Sequence, residues 1–450
     1  MASTPISTAT KAAASAALAA AAAKAAPVFT VSPSTSPFQP RQTFEVSTSI
    51  NRSYFLGHHH AGLARMRQSL SNVGLIIECR DYRVPISSWN PLLEQSLATS
   101  SSGEPRARII VYTKHDLGPA DSSPRIIRTL RSFHTRPGYG HPGPARTQTP
   151  PSSQTPSSPS QSPSPPPPSL APPARRVLFL GTGAEDRRNN ALGHLLDAIK
   201  AVARERDALT GLRAMVVGMP NAGKSTLLNA LRWKGMGLPK AAKTGAQPGV
   251  TRKIGTPVRI ARGEGDARDG ARAGGGGEMG LGEGVFLYDT PGVFVPYVAD
   301  PEAMLKLALV GCVRDGLVGM EMLADYLLYH LNLNLHGGGD GGGYVKRFGM
   351  KGPTNDVYEF LMAVAKRTGK IGKGGKPAFE AAADWVVQEW RRGGLGKLLL
   401  DEVTPETLAS AMWAAQEPAL SMNQAKKREK EARKARKEAK FSGGEAAQGV

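Results

Sequence analysis

Through about its first 300 residues the chain alternates short apolar runs with longer stretches of helical spacing. The short runs are LIIECRD (75–81), RARIIVYTKHD (106–116), RRVLFLGTG (175–183), RAMVVGMP (213–220), TPVRIA (256–261) and VFLYDTPG (285–292). Each is rich in aliphatic residues, too short for a helix, and most run into polar or glycine turns, which is how strands buried on both faces read. AGLARMRQSLSNV (61–73) and NALGHLLDAIKAVARERDAL (190–209) are helical segments between them. Six strands alternating with helices predict an α/β fold: a doubly wound, mostly parallel sheet covered on both faces. Beyond residue 300 the strand runs stop. MLKLALVGCVRDGLVGMEMLADYLLYHLNL (304–333), NDVYEFLMAVAKR (355–367) and FEAAADWVVQEWRR (379–392) carry apolar positions at helical spacing, Leu305, Leu309, Cys312 and Val313 among them. They predict a helical domain over 301–415.

Two stretches break the pattern. From about 119 to 174 the chain is Pro, Ser, Thr and Gly, including SPSPPPPS, and 262–284 is rich in Gly and Arg. Both are expected to be disordered insertions in a nucleotide-binding domain spanning 49–300. Residues 1–48 hold Lys11, Lys24 and Arg41 against a single acid, Glu45, in an Ala/Ser/Thr background. That acid-poor composition predicts an organellar transit peptide, with an ordinary disordered tail as the other reading. The segment 416–450 includes KKREKEARKARKEAK (426–440), with nine basic and three acidic residues.

Charge and cysteine usage narrow the class. The net charge of +20 favours a polyanionic partner, nucleic acid or an anionic membrane. Cys79 and Cys312, each in an apolar run, are expected as buried thiols; two cysteines exclude a disulfide framework and a four-cysteine zinc site. No uninterrupted apolar run is long enough for a membrane span.

The chemistry begins at Gly218-Met219-Pro220-Asn221-Ala222-Gly223-Lys224-Ser225, which fits G-x-x-x-x-G-K-[ST] between a strand and an apolar helix. In that setting backbone amides close around phosphate oxygens, Lys224 reaches the β- and γ-phosphates, and Ser225 ligates Mg²⁺, with Thr226 following on the helix. Downstream, DTPG places Asp289 to hold the metal shell and the Gly292 amide to sense a γ-phosphate. Thr251 of PGVTR (248–252) is positioned to complete the Mg²⁺ coordination and order a switch loop. Thr113-Lys114-His115-Asp116 looks like the Asn-Lys-x-Asp element with which GTPases read guanine, Thr113 standing for the Asn. Thr182 and Gly183 end the next strand, where a backbone contact to the base would come from. The base-reading part therefore precedes the phosphate loop: a circular permutation, joined through about 190–212.

This order, with FLGHHHAGLARM (55–66), DYRVPISSWNP (81–91), AKTGAQPGVTR (242–252) and DTPGVF, resembles the circularly permuted ribosome-assembly GTPases of the YlqF/RbgA type, particularly their mitochondrial members. The resemblance covers about 52–118, 175–260 and 285–400; Thr113, the two insertions and the GTG loop depart from it. It implies GTP/GDP and Mg²⁺ as ligands and slow hydrolysis stimulated by the large subunit of the mitochondrial ribosome. It further implies contact with that subunit's rRNA in the GTP state. The location it implies is the mitochondrial matrix, with peripheral contact to the inner membrane. It also implies a water-orienting role for His58 of GHHH (57–60), and a K⁺ ion held by Asn221. A surface histidine cluster and a plain loop-turn residue are the other readings of those two. The position that holds a water-orienting glutamine in Ras-like enzymes is Val293, followed by Phe294. Three further readings stay open: a plastid location, an ATP-using small-molecule kinase, and an RNA-binding scaffold with structural nucleotide.

Overall fold

The computed structural model describes residues 38–46, 50–54, 57–98, 106–120, 122–135, 174–181, 190–206, 209–245, 248–249, 251, 254–264, 279–339, 341–416 and isolated residues between 423 and 434. The expected transit peptide up to residue 37, most of both insertions, Thr182, Gly183, the side chain of His58 and most of the basic tail lie outside the described residues. In chain order the elements are α1 (Gly57–Ser69), β1 (Leu75–Asp81), α2 (Pro91–Ala98), β2 (Ala107–Thr113), α3 (Ser123–Thr135), β3 (Arg176–Leu180), α4 (Ala191–Arg206), β4 (Leu212–Gly218), α5 (Lys224–Met236), β5 (Val258–Ala261), β6 (Val285–Asp289), α6 (Pro301–Leu309), α7 (Met320–His336), α8 (Tyr344–Arg347), α9 (Val357–Thr368), α10 (Phe379–Arg391) and α11 (Pro405–Gln416).

The six strands form one sheet in the order β3-β2-β1-β4-β6-β5. All neighbours are parallel except the edge strand β5, which runs antiparallel to β6. The chain winds outward from β1 through β2 to β3, then returns through α4 to place β4 against the other side of β1. The strand order thus reverses between β1 and β4, the position where doubly wound sheets bind ligands. Register matters here: Asp81 of β1 lies opposite Thr113, and Cys79 lies opposite Gly218. One strand end therefore stands between the guanine-type motif and the phosphate loop. A permuted chain builds the sheet of an unpermuted one because pairing depends on strand position and not on where the chain is cut.

Alternation along the strands divides the core. Ile77 and Cys79 of β1, Val111 of β2 and Val216 of β4 face Leu195 and Ile199 of α4 and Leu228 of α5. The same apolar cluster runs on without a break into Leu305 and Leu309 of α6, Leu327 of α7, Phe360 of α9 and Val386 of α10. On the opposite face, Ile76, Met215 and Val217 pack with Leu63 and Met66 of α1 and Leu93 and Leu97 of α2. Beside them, Ile110, Tyr112 and Phe179 meet Ile126 and Leu130 of α3 and Leu408 of α11.

Helix α3 differs from expectation, since it falls inside the stretch read as unstructured from about 119. Its sequence SPRIIRTLRSFHT places Ile126, Leu130 and His134 on one turn-to-turn face, and these are buried. Local helical spacing there prevailed over the proline- and serine-rich surroundings. Among the described residues, no helix is long and apolar enough to cross a membrane.

The face of β1 and β2 toward α2 is not wholly apolar. Glu78, Arg80, Glu94 and Arg108 are all at most 2% exposed and form a closed ion cluster. Arg80 Nε donates to Glu78 Oε1 at 2.6 Å and its Nη2 to Glu94 Oε1 at 3.1 Å. Arg108 bridges the same two carboxylates. Trp89 Nε1 donates to Glu94 Oε1 at 2.7 Å, while the Arg80 guanidinium lies 4.7 Å from the Trp89 ring centre. Burial alone would raise the Glu78 carboxyl, but Arg108 and Arg80 overcome it and hold it down to about 2.

Glu78→Gln leaves two buried guanidiniums facing one carboxylate. It is expected to destabilise the fold by about 3–5 kcal/mol at neutral pH, read as a loss of denaturation free energy. Because the folded-state value is depressed from 4.5, the Glu78 contribution is complete above that pH and lost as pH falls toward 2. The gap between wild type and variant should therefore close over that window in a pH series of urea melts; a gap constant with pH contradicts the assignment.

Candidate functional site

The loop between β4 and α5 can follow its path only with glycine at its start. Gly218 has φ +144°, and a Cβ there would stand 2.3 Å from the Cys79 carbonyl oxygen. The DTPG turn closes over it: a Cβ on Gly292 would come within 2.5 Å of the Pro220 Cα, and the Val293 amide donates to Gly218 O at 3.2 Å. Lys224 is buried at the first residue of α5, and its ammonium donates to Met219 O at 2.7 Å and Gly218 O at 3.2 Å. Burial lowers its pKa, opposed by the Asp289 carboxylate.

Three oxygen-bearing side chains from different segments converge beside it. Asp289 Oδ2 at the end of β6 accepts from Ser225 Oγ at 2.6 Å and from Thr251 Oγ1 at 3.3 Å, and the two hydroxyls are 3.2 Å apart. Asp289 Oδ1 is buried without a hydrogen-bond partner among the described residues. A buried carboxylate oxygen left so is costly, and a hard cation satisfies it. Two hydroxyls and a carboxylate are the donor set that suits Mg²⁺. Thr290 Oγ1 donates to Val216 O at 2.6 Å and keeps the turn on β4.

Across β1, the guanine-type motif is tied to the phosphate loop. The Thr113 hydroxyl lies 3.0 Å from Ala222 O and 3.2 Å from Arg80 O, donating to one at a time. Lys114, at φ 57°, reaches Asn221 O with its ammonium at 2.9 Å and Asp81 Oδ2 at 2.7 Å. Asp81 is gripped by Arg83 through bonds of 3.0 and 2.8 Å. Arg83 and Lys114 outweigh burial and hold the Asp81 carboxyl far below the usual range. Asp116 is half-buried on the turn His115–Leu117 and does not line the cleft described next. His115 beside it packs edge-on to Tyr82, 4.7 Å between ring centres.

A cleft of about 330 Å³ opens over the phosphate loop. Lys114, Pro220, Asn221, Gly223, Lys224, Ser225, Thr226, Thr251 and Gly292 all line it, which brings together most of the residues singled out in the sequence. Ala222 is buried behind the loop. Among the described residues, six cations line the cleft, Arg83, Lys114, Lys224, Lys243, Arg391 and Arg392, and no acidic residue does. That lining fits a polyanion.

Part of this wall is not legible in the sequence. Asn221 Nδ2 donates to Gly311 O at 2.7 Å, in the turn after α6. Arg391 Nε donates to Leu309 O at 2.9 Å and its Nη2 to Ala308 O at 2.8 Å, so the end of α10 is fastened to the end of α6 beside the loop. The only signal for these residues was an Arg-Arg pair ending an amphipathic helix, which carries no phosphate motif. His58 lies on the first turn of α1; four residues later Gly62 abuts the DTPG turn, where a Cβ would meet Pro291 at 3.4 Å.

Residues 213–325 match the family described as 50S ribosome-binding GTPase. Mitochondrial GTPase 1 of Schizosaccharomyces japonicus is 32% identical over 79% of this chain and 91% of its own. Mitochondrial ribosome-associated GTPase 1 of Xenopus tropicalis is 28% identical over 80% of this chain and 98% of its own. The solved structure of GNP-bound YlqF from T. maritima is 18% identical over 75% of this chain and 97% of that one, with a TM-score of 0.36. On the strength of the yeast relative's length-wide identity, and of a cleft floored by a phosphate loop, this chain belongs to the mitochondrial GTPase 1 family and hydrolyses GTP.

Proposed function

We propose that this GTPase promotes assembly of the large subunit of the mitochondrial ribosome in the mitochondrial matrix, binding the pre-subunit and its rRNA in the GTP state. The observation that carries the guanine-specific part is the bond from Lys114 to Asn221 O, which joins the base-reading motif to the phosphate loop across more than a hundred residues. The names of the mitochondrial ribosome-associated relatives support the ribosomal part, as does the net charge of +20, since rRNA binding rests on phosphate neutralisation.

In this reading Asp116 accepts from the guanine edge, Lys114 packs along base and loop, and Thr182 and Gly183 contribute backbone. The amides of 220–226 surround the phosphates, and Lys224 exchanges its two loop carbonyls for β- and γ-phosphate oxygens. Ser225, Thr251 and Asp289 hold Mg²⁺, which when bound neutralises charge on the phosphates. The Gly292 amide and Thr251 sense the γ-phosphate. The water oxygen bonds to the γ-phosphorus as the bond to the bridging oxygen breaks, releasing GDP and phosphate.

Val293 and Phe294 are buried and apolar, so neither can orient that water. We assign the water-orienting role to His58, which is on the first turn of α1, the helix whose Gly62 abuts the DTPG turn. The K⁺ ion that the resemblance implies is assigned to Asn221, whose amide nitrogen donates to Gly311 O at 2.7 Å. This account has slow turnover until a ribosomal particle completes the site.

Three outcomes are expected. Asp116→Ala should weaken GTP binding by about two orders of magnitude and leave ATP binding weak, read by nucleotide titration; an adenine preference in the unaltered chain overturns the assignment. Lys224→Ala should lower the GTPase rate about 10²–10³-fold, and rates should be higher in K⁺ than in Na⁺ and higher again with large subunits. Pull-down of the tagged chain with a non-hydrolysable GTP analogue, followed by RNA sequencing, should recover mitochondrial large-subunit rRNA. Equal recovery with GDP excludes a GTP-state-dependent factor.

A further inference from the structure

The segment beyond the phosphate loop carries charge of one sign only. From 224 to 263 the chain carries nine lysines and arginines and no Asp or Glu. Within it, near the C-terminal end of α5, the Trp233 side chain is 67% exposed, and Leu238 just past the helix is 39% exposed. Burying an indole normally contributes strongly to stability, so one left in solvent among cations stands out.

The platform is built rather than loose. Gly237, at φ +69°, ends α5, and its amide donates to Trp233 O at 2.9 Å. The returning chain is then pinned twice. Arg232 Nε donates to Pro239 O at 3.0 Å. The buried Asn229 accepts from the amides of Ala241 and Ala242 at 3.0 Å each and donates to Ala242 O at 2.8 Å. These bonds hold Lys240 on the returning segment and leave Lys234, next to Trp233, and Lys240 exposed. A few residues further on, Lys243, Thr244 and Gly245 line the nucleotide cleft.

We propose that this surface binds single-stranded RNA, an unpaired base stacking on Trp233 while Lys234 and Lys240 meet the adjoining phosphates. An exposed aromatic flanked by cations without acids is the chemistry of sequence-tolerant stacking on nucleic acid. A protein partner is matched less well, since its interface would have to bring acidic groups to every one of these cations. The same loop runs from the RNA platform into the nucleotide cleft, so nucleotide contacts at Lys243 and RNA contacts at Trp233 act on one pinned segment. The inference rests on the rRNA-binding reading above and names the surface and the RNA feature it takes.

The test uses the full chain with a non-hydrolysable GTP analogue and a short unstructured RNA oligonucleotide, followed by fluorescence titration over a salt series. Trp233→Ala should weaken binding roughly 5- to 150-fold, and Trp233→Phe should restore most of it. The Lys234→Gln, Lys240→Gln double variant should lower the slope of log affinity against log salt by roughly 1 to 1.5. Intrinsic GTPase rates of all three variants should match the unaltered chain, which checks that they fold. Undiminished RNA binding by Trp233→Ala overturns the proposal. So does a loss confined to isolated large subunits with RNA binding intact, which would assign the surface to a ribosomal protein. If the unaltered chain binds neither RNA nor subunits, the assembly reading fails as well.

Discussion

The ammonium of Lys114 sits between the Asp81 carboxylate and the Asn221 carbonyl, and the rest of the site depends on that placement. It ends β2, spans the tip of β1 and fastens the phosphate loop, so three segments that are distant in sequence become one binding floor. The loop's other fastenings come from equally distant places: Val293 on Gly218, Thr113 beside Ala222, and Gly311 accepting from Asn221. A phosphate loop needs its amides aimed before the ligand arrives, and here the aim is set by neighbours that bond its carbonyls and one side chain.

Those neighbours explain why the helices after residue 300 belong to the chemistry. Arg83, which grips Asp81, lies with its guanidinium 4.8 Å from the ring centre of Trp390 on α10. Arg391 caps the end of α6 and Asn221 reaches the turn beyond it. A displacement at the phosphate loop is therefore felt at the junction of α6 and α10 through direct hydrogen bonds. The permutation gives this linkage its direction, because the DTPG turn leads straight into α6 with no intervening strand. The buried cluster of Glu78, Arg80, Glu94 and Arg108 serves a different end. Its charges cancel in pairs, which makes burial tolerable, and its fixed geometry sets how α2 seats on β1 and β2.

Thr113 shows how a departure from a motif can keep the motif's contact. Its hydroxyl lies within reach of Ala222 O, so the strand remains tied to the loop with a shorter side chain than Asn. The low-complexity stretch shows the opposite case. Composition alone marked 119–174 as unstructured, yet 123–135 carries three apolar or aromatic-contacting positions on one helical face and packs against β3. Average composition hides a short amphipathic segment at its edge.

Periodicity and local motif were sufficient for the six strands, for most helices, and for the phosphate loop, because each is specified by neighbours a few residues apart. The order of motifs along the chain likewise carried the permutation, since strand identity travels with the motif at its end. The cationic wall of Arg83, Lys243, Arg391 and Arg392, the fastening of Asn221 to Gly311 and the exposure of Trp233 were decided only by the folded chain. These depend on which side chains from remote segments arrive at one place and which are left in solvent. Nothing in a linear pattern encodes that until the sheet's switch point and the α6–α10 junction bring the segments together.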